Sequence, residues 1–179
     1  KNRRNTVRLF SGALGTISVA AGFGLLALVE NRAVKQSLFD AKQSELTQIV
    51  RLLTESAGEN HERDLTGDQR FWSQTAASLE GYRLSLIDEN GRLLKDSAMS
   101  QDELNKVGGH ATRPEVVAAM RDGLGVSRRY SATEGREYLF VAGRITFQDQ
   151  PRASKVILRL GVPVSVVRSV QSDLRRRYA

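Results

Sequence analysis

The sequence predicts an α+β chain: an apolar helix near the amino end, a long helix continuing from it, then a five-stranded antiparallel sheet with flanking helices. Three observations lead there. Residues 9–29 contain no charged residue, Asn, Gln or Pro. Residues 30–56 carry apolar positions at helical spacing, uninterrupted by Pro or Gly. From Tyr82 onward apolar residues alternate with period two in segments parted by short turn signals, and strands joined by short connections pair antiparallel.

Composition bounds the chemistry. With 179 residues there is room for one ordinary domain and an appendage, and 40% hydrophobic against 26% charged residues excludes wholesale disorder. The absence of Cys excludes a disulfide framework, a thiolate metal site and a Cys nucleophile. Two histidines, His61 and His110, exclude a three-histidine metal site. The formal charge of +7 sits at the ends: residues 1–8 carry +4, residues 168–179 carry +3, and the stretch between is neutral. A nucleic-acid-binding domain carries its excess on the folded body, so this distribution reads against nucleic acid.

Lys1, Arg3, Arg4 and Arg8 form a basic tail (residues 1–8) of the kind found on the cytoplasmic side of a membrane helix. Residues 9–29 (LFSGALGTISVAAGFGLLALV) span a bilayer core at about 1.5 Å per helical residue. A cleaved signal peptide has a shorter apolar core and a small-x-small site, whereas this run ends in LALVENR. Ser11, Gly15, Ser18 and Gly22 recur on one helical face, where small side chains form a seam for a second copy; chance placement in a Gly- and Ser-rich segment accounts for them equally well. The expected protein is therefore a homodimer in the inner membrane, with its folded domain on the periplasmic or extracytoplasmic side.

Residues 30–56 follow as a membrane-proximal helix, with Val34, Leu38, Ala41, Leu46, Ile49, Val50 and Leu53 as its apolar positions. Gly58 to Asp68 reads as a polar loop, and Arg70 to Leu79 as a shorter helix burying Phe71, Trp72 and Leu79. YRLSLID puts Tyr82, Leu84 and Leu86 on one face of a strand and Arg83 and Ser85 on the other. Glu89-Asn90-Gly91 is a tight turn, and RLLKDS the returning strand. Asp102 to Val107 makes a helical turn and Gly108-Gly109 a break. Arg113 to Arg121 is a helix with Thr112 as N-cap, Pro114 in the first turn and Gly123 past the end. GVSRRYSAT and GREYLFVAGRITF form a hairpin about Thr133-Glu134-Gly135, with YLFVAG apolar on both faces. KVILRLGVP is the fifth strand, and residues 164–179 a closing helix with Val167, Val170 and Leu174 on its apolar side.

No catalytic constellation emerges: there is no Walker loop, no GxSxG and no HExxH, and neither a metal site nor a cofactor is expected. His110 and His61 lie in loops and read as solvated side chains, and Asp88 beside Glu89 as turn chemistry. Arg121, Arg128, Arg129, Arg136 and Arg144 gather around two strands that also carry Tyr130 and Tyr138. Arg128, Tyr130, Arg136 and Tyr138 are the candidate site for a small anionic ligand, because planar guanidinium groups hold anions bidentately. The competing reading is a set of solvated or salt-bridged edge-strand charges.

LIDENGRLLKDS, then HATRPEVVAAMRDGLGVSRRYSATEGREYLFVAGRI, then VILRLGVPVSVVRSVQSDLRR resemble the extracytoplasmic sensor region of PhoR-type membrane sensor histidine kinases. The resemblance runs from Leu86 to Arg176. It implies a Cache-like, PAS-related sensor domain over residues 57–163, followed by a signalling helix over 164–179 that leads to a second membrane helix, a relay segment and a kinase core. No ligand residues carry over from it. Arg175-Arg176-Arg177 departs from the usual charge bias before an outer-side crossing. The implied function is signal sensing, in which a ligand or periplasmic partner protein shifts the last helix against the first. The alternatives are the sensor domain of a chemoreceptor or of a cyclic-dinucleotide synthase, and a membrane-anchored protein-interaction domain.

Overall fold

A computed structural model describes residues 32–59, 69–79, 81–132, 134–147 and 155–166. The expected membrane helix with its seam (Ser11, Gly15, Ser18, Gly22), the basic tail, His61 and most of the closing helix lie outside the described residues. Among the described residues no helix is long and apolar enough to cross a membrane. The chain divides into two units, Lys1–Asp40 and Ala41–Ala179. Of the first, the described part is helical and carries a Gln36–Asp40 side-chain hydrogen bond of 2.8 Å.

Helix α1 covers residues 32–58, two residues further than its apolar spacing indicated. Gly58, expected to open the loop, is helical and buried. Helix α2 is Gln69–Ser78, with Trp72 buried and Leu79 half-buried just beyond its end. The sheet follows: β1 Arg83–Ile87, β2 Leu93–Asp96, β3 Leu124–Ser131, β4 Arg136–Ile145 and β5 Val156–Pro163. Two helices lie between β2 and β3, α3 Gln101–Leu104 and α4 Pro114–Asp122. The strand order is β2-β1-β5-β4-β3, with each neighbouring pair antiparallel. The last strand thus inserts between the first and fourth, and β5 is buried along its whole length.

Local chemistry fixes the joints. Asp88 Oδ1 accepts from the backbone N–H of Asn90 and of Arg92, which closes the β1–β2 turn as an Asx turn. Ser100 and Glu103 form a reciprocal capping box on α3. On α4 the N-cap is Arg113, not Thr112, and its side chain makes no capping bond. Pro114 at the first helical position has no N–H to satisfy, the Val116 N–H donates to the Arg113 carbonyl at 2.9 Å, and Gly123 ends the helix with φ 86°.

Strand alternation sorts the side chains into two layers. Leu84, Leu86, Leu139, Val141, Leu158, Leu160 and Val162 are buried on the face toward α1, which contributes Leu46, Val50 and Ala57. Contact there is close: a side chain at Gly143 would come within 2.6 Å of Val50 and 2.9 Å of Thr54. On the other face Ile87, Ala142 and Ile157 join Leu93, Leu104, Val116 and Ala119 in a smaller apolar cluster under α3 and α4. Sequence alternation sets Arg83 and Ser85 apart from the apolar face of β1. The structure covers their side as well, and Arg83, Ser85 and Arg159 are buried on it.

Candidate functional site: a buried arginine cage

Arg83 on β1, Arg129 on β3 and Arg159 on β5 project from the α4 side of the sheet and meet Arg113 and His110 of the loop before α4. With Ser131, Ala132 and Phe140 they line a partly open depression of about 250 Å³, open solvent included. The space in it that a water can occupy is about 10 Å³, room for about one. Phe140 forms the floor: its ring lies against Gly161 of β5, where any side chain would come within 2.7 Å of it. Above the ring, the Arg129 and Arg159 guanidinium carbons stand 4.3 and 4.9 Å from its centroid, within cation–π range.

Each cation has a different degree of compensation. Arg129 is well matched: its Nη2 donates to Glu115 Oε1 at 2.6 Å and its Nε to Oε2 at 3.2 Å. Glu115 is fully buried and also accepts from Ser127 at 2.5 Å. Burial pushes its carboxyl up, but the bonds from Arg129 and Ser127 more than reverse this and hold it below the ordinary carboxylate range. Arg83 donates through Nε to both oxygens of Asp96 at 3.1 Å and through Nη1 to Glu134 at 2.9 Å.

Arg159 is the poorly matched member. It is 2% exposed, its Nη2 donates to Ser85 at 3.0 Å, and its Nη1 stands 3.6 Å from Glu115, beyond hydrogen-bond reach. Nε and Nη1 have no hydrogen-bond acceptor. Burial lowers its pKa to about 10, and repulsion from Arg83 and Arg129 works against the support of Glu115 and Asp96. Nε of Arg113 is likewise buried without an acceptor, and Arg113 has no carboxylate partner among the described residues. Four guanidinium groups thus share three carboxylates, Asp96, Glu115 and Glu134, and the last is divided with Arg136 at 3.4 Å.

His110 is 5% exposed, which corrects the sequence expectation of a solvated side chain. Its backbone N–H donates to Gly91 at 2.7 Å, so the β1–β2 turn holds the loop in place and turns the imidazole inward. Nδ1 is buried without a partner. Burial first, then the fields of Arg159, Arg113, Arg129 and Arg83, lower its pKa to about 4. The ring is therefore neutral at neutral pH. Several buried donors thus point into one small space with too few acceptors, a chemistry that acceptor oxygens would satisfy.

The four residues chosen from sequence fall on two faces. Arg128 and Tyr130 lie on the side opposite the cage, with Arg128 paired to Glu137 at 2.8 Å and Tyr130 64% exposed. Arg136 and Tyr138 lie on the cage side, at its margin. Arg136 donates to the Tyr138 hydroxyl at 3.3 Å, the hydroxyl donates to Glu134 at 3.2 Å, and the Tyr138 ring stacks on Phe140 at 5.3 Å. Arg121 pairs with Asp122 and Arg144 donates to the Met120 carbonyl. Of the five clustered arginines only Arg129 enters the cage. The sequence offers no functional reading for Arg83, Arg113 or Arg159 and reads His110 as solvated; the available signal was a single Arg inside the apolar run of β5. Among the described residues no group of three metal-ligating side chains occurs.

No family model and no curated protein sequence matches this chain. Among solved structures it resembles the sensor domain of the V. cholerae histidine kinase DctB, with TM-score 0.58 and 16% identity, over 74% of this chain and 53% of that one. The chain thus spans about half the length of that protein. It is more distantly similar to a methyl-accepting chemotaxis protein from Vibrio parahaemolyticus RIMD 2210633, with TM-score 0.40 and 16% identity, over 74% of this chain and 95% of that one. With its 2-1-5-4-3 antiparallel sheet and flanking helices, the chain shares the fold of the DctB sensor domain.

Proposed function

We propose that this chain is the extracytoplasmic sensing domain of a two-component histidine kinase and that it binds a small anion in the arginine cage. The observation that carries the reading is Arg159, a buried guanidinium with two unused donors beside a neutral buried imidazole. Structural arginines are buried with full pairing, because an uncompensated charge costs several kcal/mol. An anion would supply the acceptors that Arg159 and Arg113 do not find within the chain. The domain acts by binding, not by catalysis.

The apolar run 9–29 tethers the domain, with the basic tail on the cytoplasmic side, and the small-residue seam brings two copies together. An anion that draws in Arg159 and Arg113 favours one packing of β5 and of the loop before α4. Because β5 runs directly into the closing helix, that preference reaches the segment leading to the output domain.

Calorimetric titration of the detergent-solubilised full chain with sulfate, phosphate, formate and short dicarboxylates tests the binding. One-site binding that disappears in Arg159→Met and in Arg113→Met is expected. Heat from none of these anions overturns the anion reading. Deletion of residues 1–29 tests the tether separately, since the shortened chain is expected in the soluble fraction and the full chain with membranes.

A further inference from the structure

Adding an anion to the cage changes more than the arginines. His110 faces Arg83 of β1, Arg129 of β3, Arg159 of β5 and, from its own loop, Arg113. The acids nearby already have partners: Glu115 of α4 belongs to Arg129, Asp96 of β2 to Arg83, and Glu134 of the β3–β4 turn to Arg83 and Arg136. Asp88 is occupied with its own turn and with Arg92. The imidazole therefore stays neutral because of four cations and burial, with nothing nearby to balance a fifth charge. An anion among those cations removes much of their repulsion and places an acceptor where Nδ1 has none.

We infer that the cage takes up its anion together with one proton from solvent, held on the His110 imidazole and donated from Nδ1 to an oxygen of the ligand. This rests on the anion reading above and adds the regulation of the same site: the sensor responds to anion and acidity jointly. The geometry favours a compact oxyanion, whose oxygens can accept from Arg113, Arg159 and His110 at once. The sign follows from linkage. Without the anion the His110 pKa lies at about 4, held down by burial and the arginines, and a bound anion raises it. Affinity therefore strengthens as pH falls through the raised value and is flat above it.

Sulfate is the suitable probe because it does not titrate in this range, and formate is the monoanionic counterpart. For the full chain, the sulfate Kd at about pH 5.5 is expected to be about tenfold tighter than at about pH 7.5. Calorimetry in two buffers of different ionisation heat is expected to show net proton uptake on binding. In His110→Asn, or in His110→Gln should the first variant fold poorly, binding is expected to lose both the pH dependence and the proton uptake. Sulfate binding with equal affinity at both pH values overturns this inference and leaves the anion reading intact. So does a pH dependence that survives both substitutions. Failure of sulfate and formate to bind at any pH removes both readings.

Discussion

Glu115 and Arg129 meet at 2.6 Å, one from the first turn of α4 and the other from the edge strand β3, and this pair fastens helix to sheet. No water reaches the carboxylate, which spends its remaining capacity on Ser127. Removing the acid alone strands the half-buried Arg129 guanidinium and takes a nearby negative charge from the buried Arg159. Glu115→Ala is expected to lower unfolding stability by about 3–5 kcal/mol in chemical denaturation, the range for breaking a buried pair. A loss below about 1 kcal/mol would show that solvent reaches the pair.

His110 makes stability depend on pH in a definite direction. Its folded pKa lies near 4 and its ordinary value is 6.5, so the unfolded chain binds the proton more readily. The stability associated with the neutral ring is complete above 6.5 and is lost as pH falls toward 4, by at most about 3 kcal/mol. The difference in unfolding free energy between the parent and His110→Asn, followed across this window without added anion, should narrow as pH drops. A difference independent of pH contradicts the burial argument.

Arg159 separates folding from binding. Its charge is buried, weakly paired and crowded by Arg83 and Arg129. Replacement by an apolar chain of similar length relieves repulsion and desolvation together. Arg159→Met is expected to leave the melting temperature unchanged or to raise it, while sulfate binding is lost. A large fall in melting temperature would make Arg159 a structural residue.

Arg128 is the contrasting case. Its partner Glu137 sits across the β3–β4 pair, and both side chains are exposed. Arg128→Ala is expected to change stability by less than about 1 kcal/mol and to leave sulfate affinity as it was. Loss of anion binding in this variant would move the site to the opposite face of the sheet.

Gly125 marks where α4 lies lowest on the sheet. A methyl group there would stand 2.0 Å from the Glu115 carbonyl oxygen, so α4 must lift. Gly125→Ala is expected to cost about 1–3 kcal/mol by overpacking and to weaken sulfate binding, because Arg113 and His110 lead directly into that helix. Unfolding curves and calorimetry on the same preparation check both.

The local elements were legible because their signals are local. Asn90-Gly91 gave the first hairpin, Pro114 and Gly123 bounded α4, and alternation from Tyr82 to Ile87 gave β1. The cage was not legible, since His110, Arg83, Arg129 and Arg159 come from four segments brought together only when β5 inserts between β1 and β4. Alternation puts Arg83 and Ser85 on one side of β1, yet it cannot place Arg159 of β5 beside them, nor say whether that side meets water or another layer. The choice of Arg128, Tyr130, Arg136 and Tyr138 joined residues near in sequence, and the pleat then sent half of them to each side. The Thr112 hydroxyl suggests an N-cap, whereas the helix starts one residue later, where Pro114 has no N–H and the Arg113 carbonyl itself takes the Val116 N–H.

The space inside the cage that a water can occupy is about one water's worth, and this bears on timing. An oxyanion is larger than that, so under the proposed binding the lining side chains must rearrange as it seats. Where such a rearrangement limits capture, the observed rate levels off at high solute concentration instead of climbing in proportion. A domain paced in that way would average over brief fluctuations in its surroundings and register conditions that persist.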